Sequence, residues 1–156
     1  MTYVLLSIWY IVLGDNMRTF YVFKIKKEIS ILTKEIPYNL FKTINNLYYL
    51  DNYDSYLSFN MYHNLFDKIN KNYLDKKIYN NFKNNRHYFY NEENDSHEIH
   101  NKYLGEDTVL KVYNSYIIIK SNLLKSDILF NYLNINDLFV CDFKNKDYFW
   151  LNELVK

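Results

Sequence analysis

Two β-rich runs in the last third of the chain constrain the fold more than any other feature of this sequence. Residues 108–113 read TVLKVY and residues 116–120 read YIIIK, and only Asn114 and Ser115 separate the two runs. Runs of β-branched and aromatic residues on either side of two turn-forming residues are typical of a β-hairpin. The sequence therefore predicts a sheet that contains at least this antiparallel pair.

Further strands are predicted near both ends of the chain. Residues 18–25 (RTFYVFKI) have the alternation of a half-buried strand, and residues 138–143 (LFVCDF) and 148–151 (YFWL) are apolar runs joined by a polar turn. Residues 87–90 (HYFY) are a short candidate strand. The polar segment 91–101 is predicted to be an exposed loop, because it lacks an apolar pattern of either period.

Three segments are predicted to be helical. The first begins at Pro37, a residue that suits the first turn of a helix. The second covers 56–73, while 74–85 is ambiguous between helix and loop. The third is a short helix within 121–134, capped at Ser126 and Asp127. In the second helix, the positions expected to share one stripe are Phe59, Tyr62, Phe66, Ile69 and Tyr73.

Composition limits the domain organisation and the partners. The chain has 156 residues, of which 49% are hydrophobic, and a formal net charge of +1. We therefore predict a single α/β (α+β) domain whose mixed, mostly antiparallel sheet has helices packed on it. A chain with so little net charge has no global basic field for nucleic acid. The single cysteine excludes an internal disulfide framework and suits a reducing compartment.

The first sixteen residues form an apolar extension, MTYVLLSIWYIVLGDN. The apolar run is too short for a membrane-spanning helix, which needs ~20 residues, and it lacks the basic start and cleavage site of a signal peptide. We favour translation from Met17 rather than Met1, which makes 17–156 the folded domain. A membrane-tethered interaction protein, held by residues 3–13, remains an alternative.

Three histidines in the polar middle of the chain are the candidate metal ligands. These are His87, His97 and His100, and the spacing of the last two would turn both imidazoles to one side of a helix. The second histidine of a metalloprotease motif is missing, however. We therefore predict no metal site and no cofactor, and keep a metal-dependent hydrolase that uses these three residues as an alternative.

No other residue stands out as catalytic. Cys141 lies in an apolar strand and is expected to be a small buried hydrophobe. Asp142 follows it at a strand end and is expected to face solvent or to pair with a lysine. Neither glycine belongs to a phosphate-binding pattern. We therefore predict a protein that is not an enzyme.

The segment 68–86 interleaves lysines with Tyr73, Tyr79 and Phe82. Aromatic and cationic side chains together can bind single-stranded nucleic acid. The alternative is a solvated helix whose aromatic residues point into the core. We favour this alternative and expect no direct contact with nucleic acid.

Two segments resemble the sporulation inhibitor of replication (SirA) family. MRTFYVFKIKKEI, from Met17, is similar to that family's aromatic first strand and the Ile-Lys-acidic segment after it. LFVCDFKNKDYFWLNEL is similar to its closing pattern, in which an apolar strand ends in Asp-Phe and an aromatic strand ends in Trp-Leu-Asn. The matching residues are Asp142, Phe143, Trp150, Leu151 and Asn152.

This resemblance implies a small cytoplasmic protein without enzymatic activity. Such a protein would bind the N-terminal domain of the replication initiator DnaA and restrain initiation as cells enter sporulation. The implied contact segment follows the first strand and includes Ile29 and Thr33, with Tyr38 as an additional contact. The resemblance implies no cofactor, no metal, no small-molecule substrate and no membrane.

Overall fold

The computed structural model of the protein describes residues 17–50, 55–123, 133 and 135–151. Within these ranges the chain forms seven strands and four helices. The strands are β1 (Arg18–Lys24), β2 (Tyr88–Asn91), β3 (Ser96–Asn101), β4 (Glu106–Val112), β5 (Ile117–Ser121), β6 (Leu138–Asp142) and β7 (Asp147–Trp150). The helices are α1 (Lys27–Thr33), α2 (Pro37–Tyr48), α3 (Ser55–Leu65) and α4 (Lys71–Phe82). The apolar extension 1–16 and most of the helix predicted within 121–134 lie outside the described residues.

All seven strands belong to one sheet, in the order β2-β3-β4-β5-β1-β6-β7. Each neighbouring pair is antiparallel. The predicted hairpin is confirmed, because β4 and β5 pair from Val112 and Ile117 outward and the Tyr113 amide donates to the Tyr116 carbonyl at 2.9 Å. The α+β class with an antiparallel sheet is thus as predicted. The first strand, β1, lies in the interior of the sheet, between β5 and β6.

Apolar residues on both faces of the sheet are buried under helices. In β1, Phe20 and Val22 belong to one cluster and Phe23 to the other, as expected for side chains that alternate along a strand. The first cluster is covered by α4, whose buried residues are Leu74, Ile78 and Phe82. The second is covered by α2, whose buried residues are Leu40, Phe41 and Ile44. The helices therefore pack on both faces of the sheet.

The helix predicted over 56–73 is wrong in one respect, because the chain leaves the helical conformation between α3 and α4. The linking residues contact the end of the sheet instead: Phe66 forms a bridge with Ile25, and the Asp67 amide donates to the Lys24 carbonyl at 2.8 Å. These contacts use backbone groups that a continuous helix would have used internally. The helical spacing of apolar residues continues across the break, so this spacing did not reveal where the helix is interrupted.

The stripe predicted for that helix is buried only in its middle. Phe66 and Ile69 are buried, whereas Phe59 and Tyr73 are each 61% exposed. The ambiguous segment 74–85 is helical as far as Phe82. Because of the break, α3 packs against the second cluster and α4 packs against the first, on the opposite face of the sheet.

The exposed loop predicted over 91–101 is also wrong. Ser96–Asn101 forms β3, and Ser96, His97 and Ile99 are almost fully buried. The strand is paired on both sides, with β2 and β4. Its polar side chains find hydrogen-bond partners inside the protein, which makes their burial tolerable. Because its residues are mostly polar, the sequence pattern did not identify β3 as an internal strand of the sheet.

None of the helices in the described ranges combines the length and the apolar character that a membrane crossing requires.

Candidate protein-binding surface

The helix α1 was not predicted, and it is held in place mainly by polar contacts. The Ser30 hydroxyl donates to Asp137 Oδ1 at 2.6 Å, which joins α1 to the residues before β6. The Lys26 amide, at the start of the helix, donates to the Leu65 carbonyl at the end of α3 at 2.9 Å. A helix of seven residues has little intrinsic stability. These contacts explain why it forms here.

The outward side of α1 and the start of α2 expose large apolar side chains. We call these residues the α1–α2 surface: Ile31 (68% exposed), Leu32 (73%), Ile36 (52%) and Tyr38 (55%). Exposed charged residues on the same segment flank them, namely Lys27, Glu28, Lys34 and Glu35. Single exposed apolar residues are common, but several within one short segment, with charged neighbours, are typical of a protein-binding surface.

The three contact residues implied by the resemblance lie in or beside this surface, in different environments. The Ile29 side chain is half-buried and packs against the second core cluster. The Thr33 hydroxyl donates to the Ile29 carbonyl at 2.7 Å, so it is used within α1. Tyr38 is mostly exposed. Of the three, Tyr38 has the most surface available to a partner.

Sequence reasoning missed Ile31 and Leu32, although a signal was present. Residues 29–32 read ISIL. Successive helical residues are about 100° apart, so one short helix cannot bury four consecutive positions. Because Ser30 is anchored inward, Ile31 and Leu32 must point outward. Recognising α1 as a helix would have been enough to identify this exposed pair.

Asp142, the first residue of the closing pattern, does not face solvent and does not pair with a lysine, contrary to expectation. It is 1% exposed, and its Oδ2 accepts from Arg18 Nε at 2.7 Å. The Asn145 amide donates to Oδ1 at 3.0 Å and its side chain donates to Oδ2 at 2.7 Å. Burial would raise the pKa of Asp142, but the hydrogen bonds from Asn145 and the charge of Arg18 outweigh it and hold the pKa below its usual value.

The aromatic residues of the closing pattern are part of the core. The Phe143 ring stacks on Tyr48 with 4.1 Å between centroids. The Trp150 ring meets Phe139 edge to face at 4.9 Å. Leu151 is buried in the first cluster, and Asn152 lies outside the described residues. The described residues of this pattern therefore hold β6 and β7 on the rest of the sheet.

The structure does not bring the three histidines together. Because β3 is a strand and not a helix, His97 and His100 point to opposite faces of the sheet. His97 Nδ1 shares a hydrogen bond with the Tyr88 hydroxyl at 2.8 Å, and His97 Nε2 shares one with Asp75 Oδ1 at 3.0 Å. No cluster of three or more His, Cys, Asp or Glu side chains suited to a metal ion occurs among the described residues.

The two strand histidines have opposite pKa shifts. Burial lowers the pKa of His97, and the hydrogen bond to Asp75 offsets this only in part. Burial would also lower the pKa of His100, but its bonds to Asp107 (2.7 Å) and Glu98 (3.0 Å) outweigh it and raise the pKa. His97 is therefore held neutral in the fold, whereas His100 is favoured in its charged form.

Cys141 and the lysine-rich stretch 68–86 are the remaining candidates from the sequence. Cys141 is fully buried, as predicted, and burial raises the pKa of its thiol. In the lysine-rich stretch, Lys71 forms ion pairs with Asp75 at 2.5 Å and Asp95 at 3.0 Å. Phe82 points into the core as expected, but Tyr73 and Tyr79 are exposed.

Comparison with protein-family models and with curated proteins identified no relative of this chain. No protein-family model matches the chain, and no curated protein matches it.

Proposed function

We propose that this chain is a non-enzymatic, cytoplasmic regulator of chromosome replication that binds the N-terminal domain of the initiator DnaA. Its resemblance to the sporulation inhibitor of replication family motivates both the partner and the link to sporulation. The observation that carries the proposal is the α1–α2 surface, where four large apolar side chains are at least half exposed. This surface lies in the segment after the first strand, where the resemblance places the contact.

The proposed mechanism is occupancy of the partner. A standard interface buries ~800 Å² on each protein, and a few well-packed anchors supply most of its affinity. Leu32 and Ile31 are the best candidates for anchors, because they are the most exposed residues of the surface. Tyr38 lies at its edge, on α2. Once bound, the protein would cover a face of the DnaA domain that initiation requires.

Leu32→Asp is the variant that tests this proposal. Calorimetry or a pull-down with the purified DnaA N-terminal domain should show binding by the wild-type chain and a loss of at least about tenfold in affinity for the variant, because a carboxylate would be desolvated at the centre of the interface. Leu32 is 73% exposed, so the substitution should leave thermal unfolding nearly unchanged. Ile29→Asp is less informative, because Ile29 packs against the core.

Leu104→Asp is the matched control. Leu104 is 68% exposed, in the turn between β3 and β4. This variant makes the same chemical change outside the α1–α2 surface and should bind like the wild type. The proposal fails if the wild-type chain does not bind the DnaA domain. The assignment of the surface fails if Leu32→Asp and Leu104→Asp bind equally well.

A further inference from the structure

An aromatic cavity lies on the α2 face of the sheet. Its volume is about 190 Å³, and it lies between β1, α2, α3 and the residue before β5. The side chains that matter most for its chemistry are Tyr21, Phe23, Leu47, Tyr62, Phe66 and Tyr116. None of them is charged at neutral pH. This cavity is separate from the α1–α2 surface, none of whose residues lines it.

The walls of the cavity are aromatic rings packed on one another. Phe66 stacks on Phe23 with 4.8 Å between centroids and contacts Tyr62 at 4.7 Å. Tyr21 and Tyr116 form the neighbouring wall, at 6.1 Å. Because each ring is supported by another, the walls are preformed.

Three of the four tyrosine hydroxyls that line the cavity have hydrogen-bond partners. Tyr62 donates to the Ser115 carbonyl at 2.5 Å. The Tyr21 and Tyr48 hydroxyls are 3.3 Å apart and share a hydrogen bond. The cavity therefore offers mainly ring faces and edges to a ligand.

A wider groove continues from the cavity to the protein surface. It has a volume of about 580 Å³ and shares Leu47, Tyr62 and Phe66 with the cavity. Asp67 and Lys68 also line it, so both signs of charge are present in the groove. Ligand sites commonly combine an apolar, aromatic body with a few polar groups at one end. The cavity and groove together have this character.

The geometry points to a binding site for a small molecule that has one aromatic ring and a short charged head. The ring would occupy the cavity, and the head would lie in the groove beside Asp67 and Lys68. The size is appropriate, because an apolar cavity of about 150 Å³ in another protein binds benzene. Aromatic walls favour an aromatic occupant over a saturated one, since ring pairs attract beyond the area that they bury. A groove lined by charges of both signs suits a small charged head, whereas the centre of a protein interface is largely uncharged.

Free L-phenylalanine is the probe for the test, because it has one ring and both charges. Titration of the full chain, followed by protein NMR, should give saturable shifts in the millimolar range or below. The largest shifts should map to Tyr62, Phe66 and Tyr116, with none at Leu104. L-cyclohexylalanine, which has a saturated ring, should bind roughly threefold or more weakly.

A cavity-filling variant tests the location. Leu47→Trp places an indole where the ligand ring would lie and should abolish binding. Leu104→Trp makes the same change at an exposed turn residue and should bind L-phenylalanine like the wild type. Near-ultraviolet circular dichroism and thermal unfolding establish that each variant is folded. If Leu47→Trp does not fold, the shift map of the wild-type chain decides the question.

The proposal is overturned if the wild-type chain gives no saturable shifts, if the shifts map away from the cavity, or if folded Leu47→Trp binds L-phenylalanine normally. It is also overturned if L-phenylalanine does not bind and Leu47→Trp instead weakens binding to the DnaA domain. In that case the cavity would receive a side chain of a partner protein. The proposed DnaA interaction is tested separately at Leu32, so either proposal can fail alone.

Discussion

His97 shows how a polar residue is built into the core of this protein. Its side chain is 1% exposed and links β2 to α4, because one ring nitrogen meets the Tyr88 hydroxyl and the other meets Asp75. Asp75 in turn pairs with Lys71, which also pairs with Asp95. If Nε2 donates to Asp75, then Nδ1 accepts from Tyr88, and the imidazole is neutral with both nitrogens satisfied.

The lowered pKa of His97 predicts a loss of stability in mild acid. An unfolded histidine takes up a proton near pH 6.5, whereas folded His97 resists protonation to a lower pH. The unfolded state therefore gains protons first, and the free energy of unfolding falls as pH decreases from about 6.5 towards the folded pKa. His97→Gln should be less stable than the wild type at pH 7.5 but should lose less stability between pH 7.5 and pH 5.5. Urea unfolding at both pH values measures this.

His100 provides the control with the opposite sign. Its pKa is raised in the folded protein, so it contributes stability at low pH that is lost as pH rises through the folded pKa. His100→Asn should therefore steepen the loss of stability between pH 7.5 and pH 5.5. An equal pH dependence in the wild type and in His97→Gln would contradict the account given for His97.

The polar residues also show what the sequence could and could not predict about individual sites. Burial of Cys141 followed from its apolar neighbours and is confirmed. The partner of Asp142 could not be predicted, because Arg18 lies 124 positions away and meets it only through the pairing of β1 with β6. The same holds for Ser30 and Asp137, which position α1. Contacts of this kind depend on the topology, which no local pattern contains.

At the scale of the elements, local patterns predicted those elements whose burial has a regular period. The hairpin of β4 and β5 and the helix α2 were evident from spacing alone. In contrast, β3 is polar and is buried by its neighbours, and the seven residues of α1 make only about two helical turns, too few for a repeating apolar pattern. The break between α3 and α4 was missed because the contacts that cause it come from β1 and from the turn before β5.

The start of α4 depends on a single capping side chain. Asn70 Oδ1 accepts from the Tyr73 amide at 3.1 Å, which satisfies a backbone donor that the helix leaves free. Asn70→Ala should therefore lower the free energy of unfolding by about 1 kcal/mol. Chemical denaturation at neutral pH measures the difference.

Two variants next to this cap provide controls. Asn70→Asp keeps an acceptor at the same position and should retain most of the stability. Asn72→Ala removes an exposed asparagine within α4 and should leave stability unchanged or slightly increased, because alanine favours helices. If Asn70→Ala proved as stable as the wild type, the cap would have no role in fixing the break.

At the scale of the whole molecule, the sheet divides the apolar residues into two clusters, and Cys141 lies in one of them on β6. It is 0% exposed, and its strand is paired on both sides. A reagent can reach this thiol only if the residues that cover the second cluster, including α2, move away from the sheet. Its reactivity should therefore report on opening of the α2 face of the core.

Thiol labelling tests this expectation. Native protein mixed with a disulfide reagent should label slowly, whereas protein unfolded in urea should label at once. An Asn114→Cys variant, with a thiol at an exposed turn position, should show rapid labelling of one thiol and slow labelling of the other. Rapid labelling of Cys141 in the folded wild type would mean that the α2 face opens locally.

The position of β1 has a consequence for how this protein is made. The ribosome synthesises this strand first among the described elements, yet both of its neighbours, β5 and β6, come from the last third of the chain. While synthesis continues, both edges of β1 lack their native partners. The apolar side chains of β1 stay unburied until the residues that pack against them have been translated. Chaperones should therefore be needed to protect the growing chain from aggregation until nearly all of it has emerged. A stop codon before β6 should yield a product that aggregates rather than a smaller folded one.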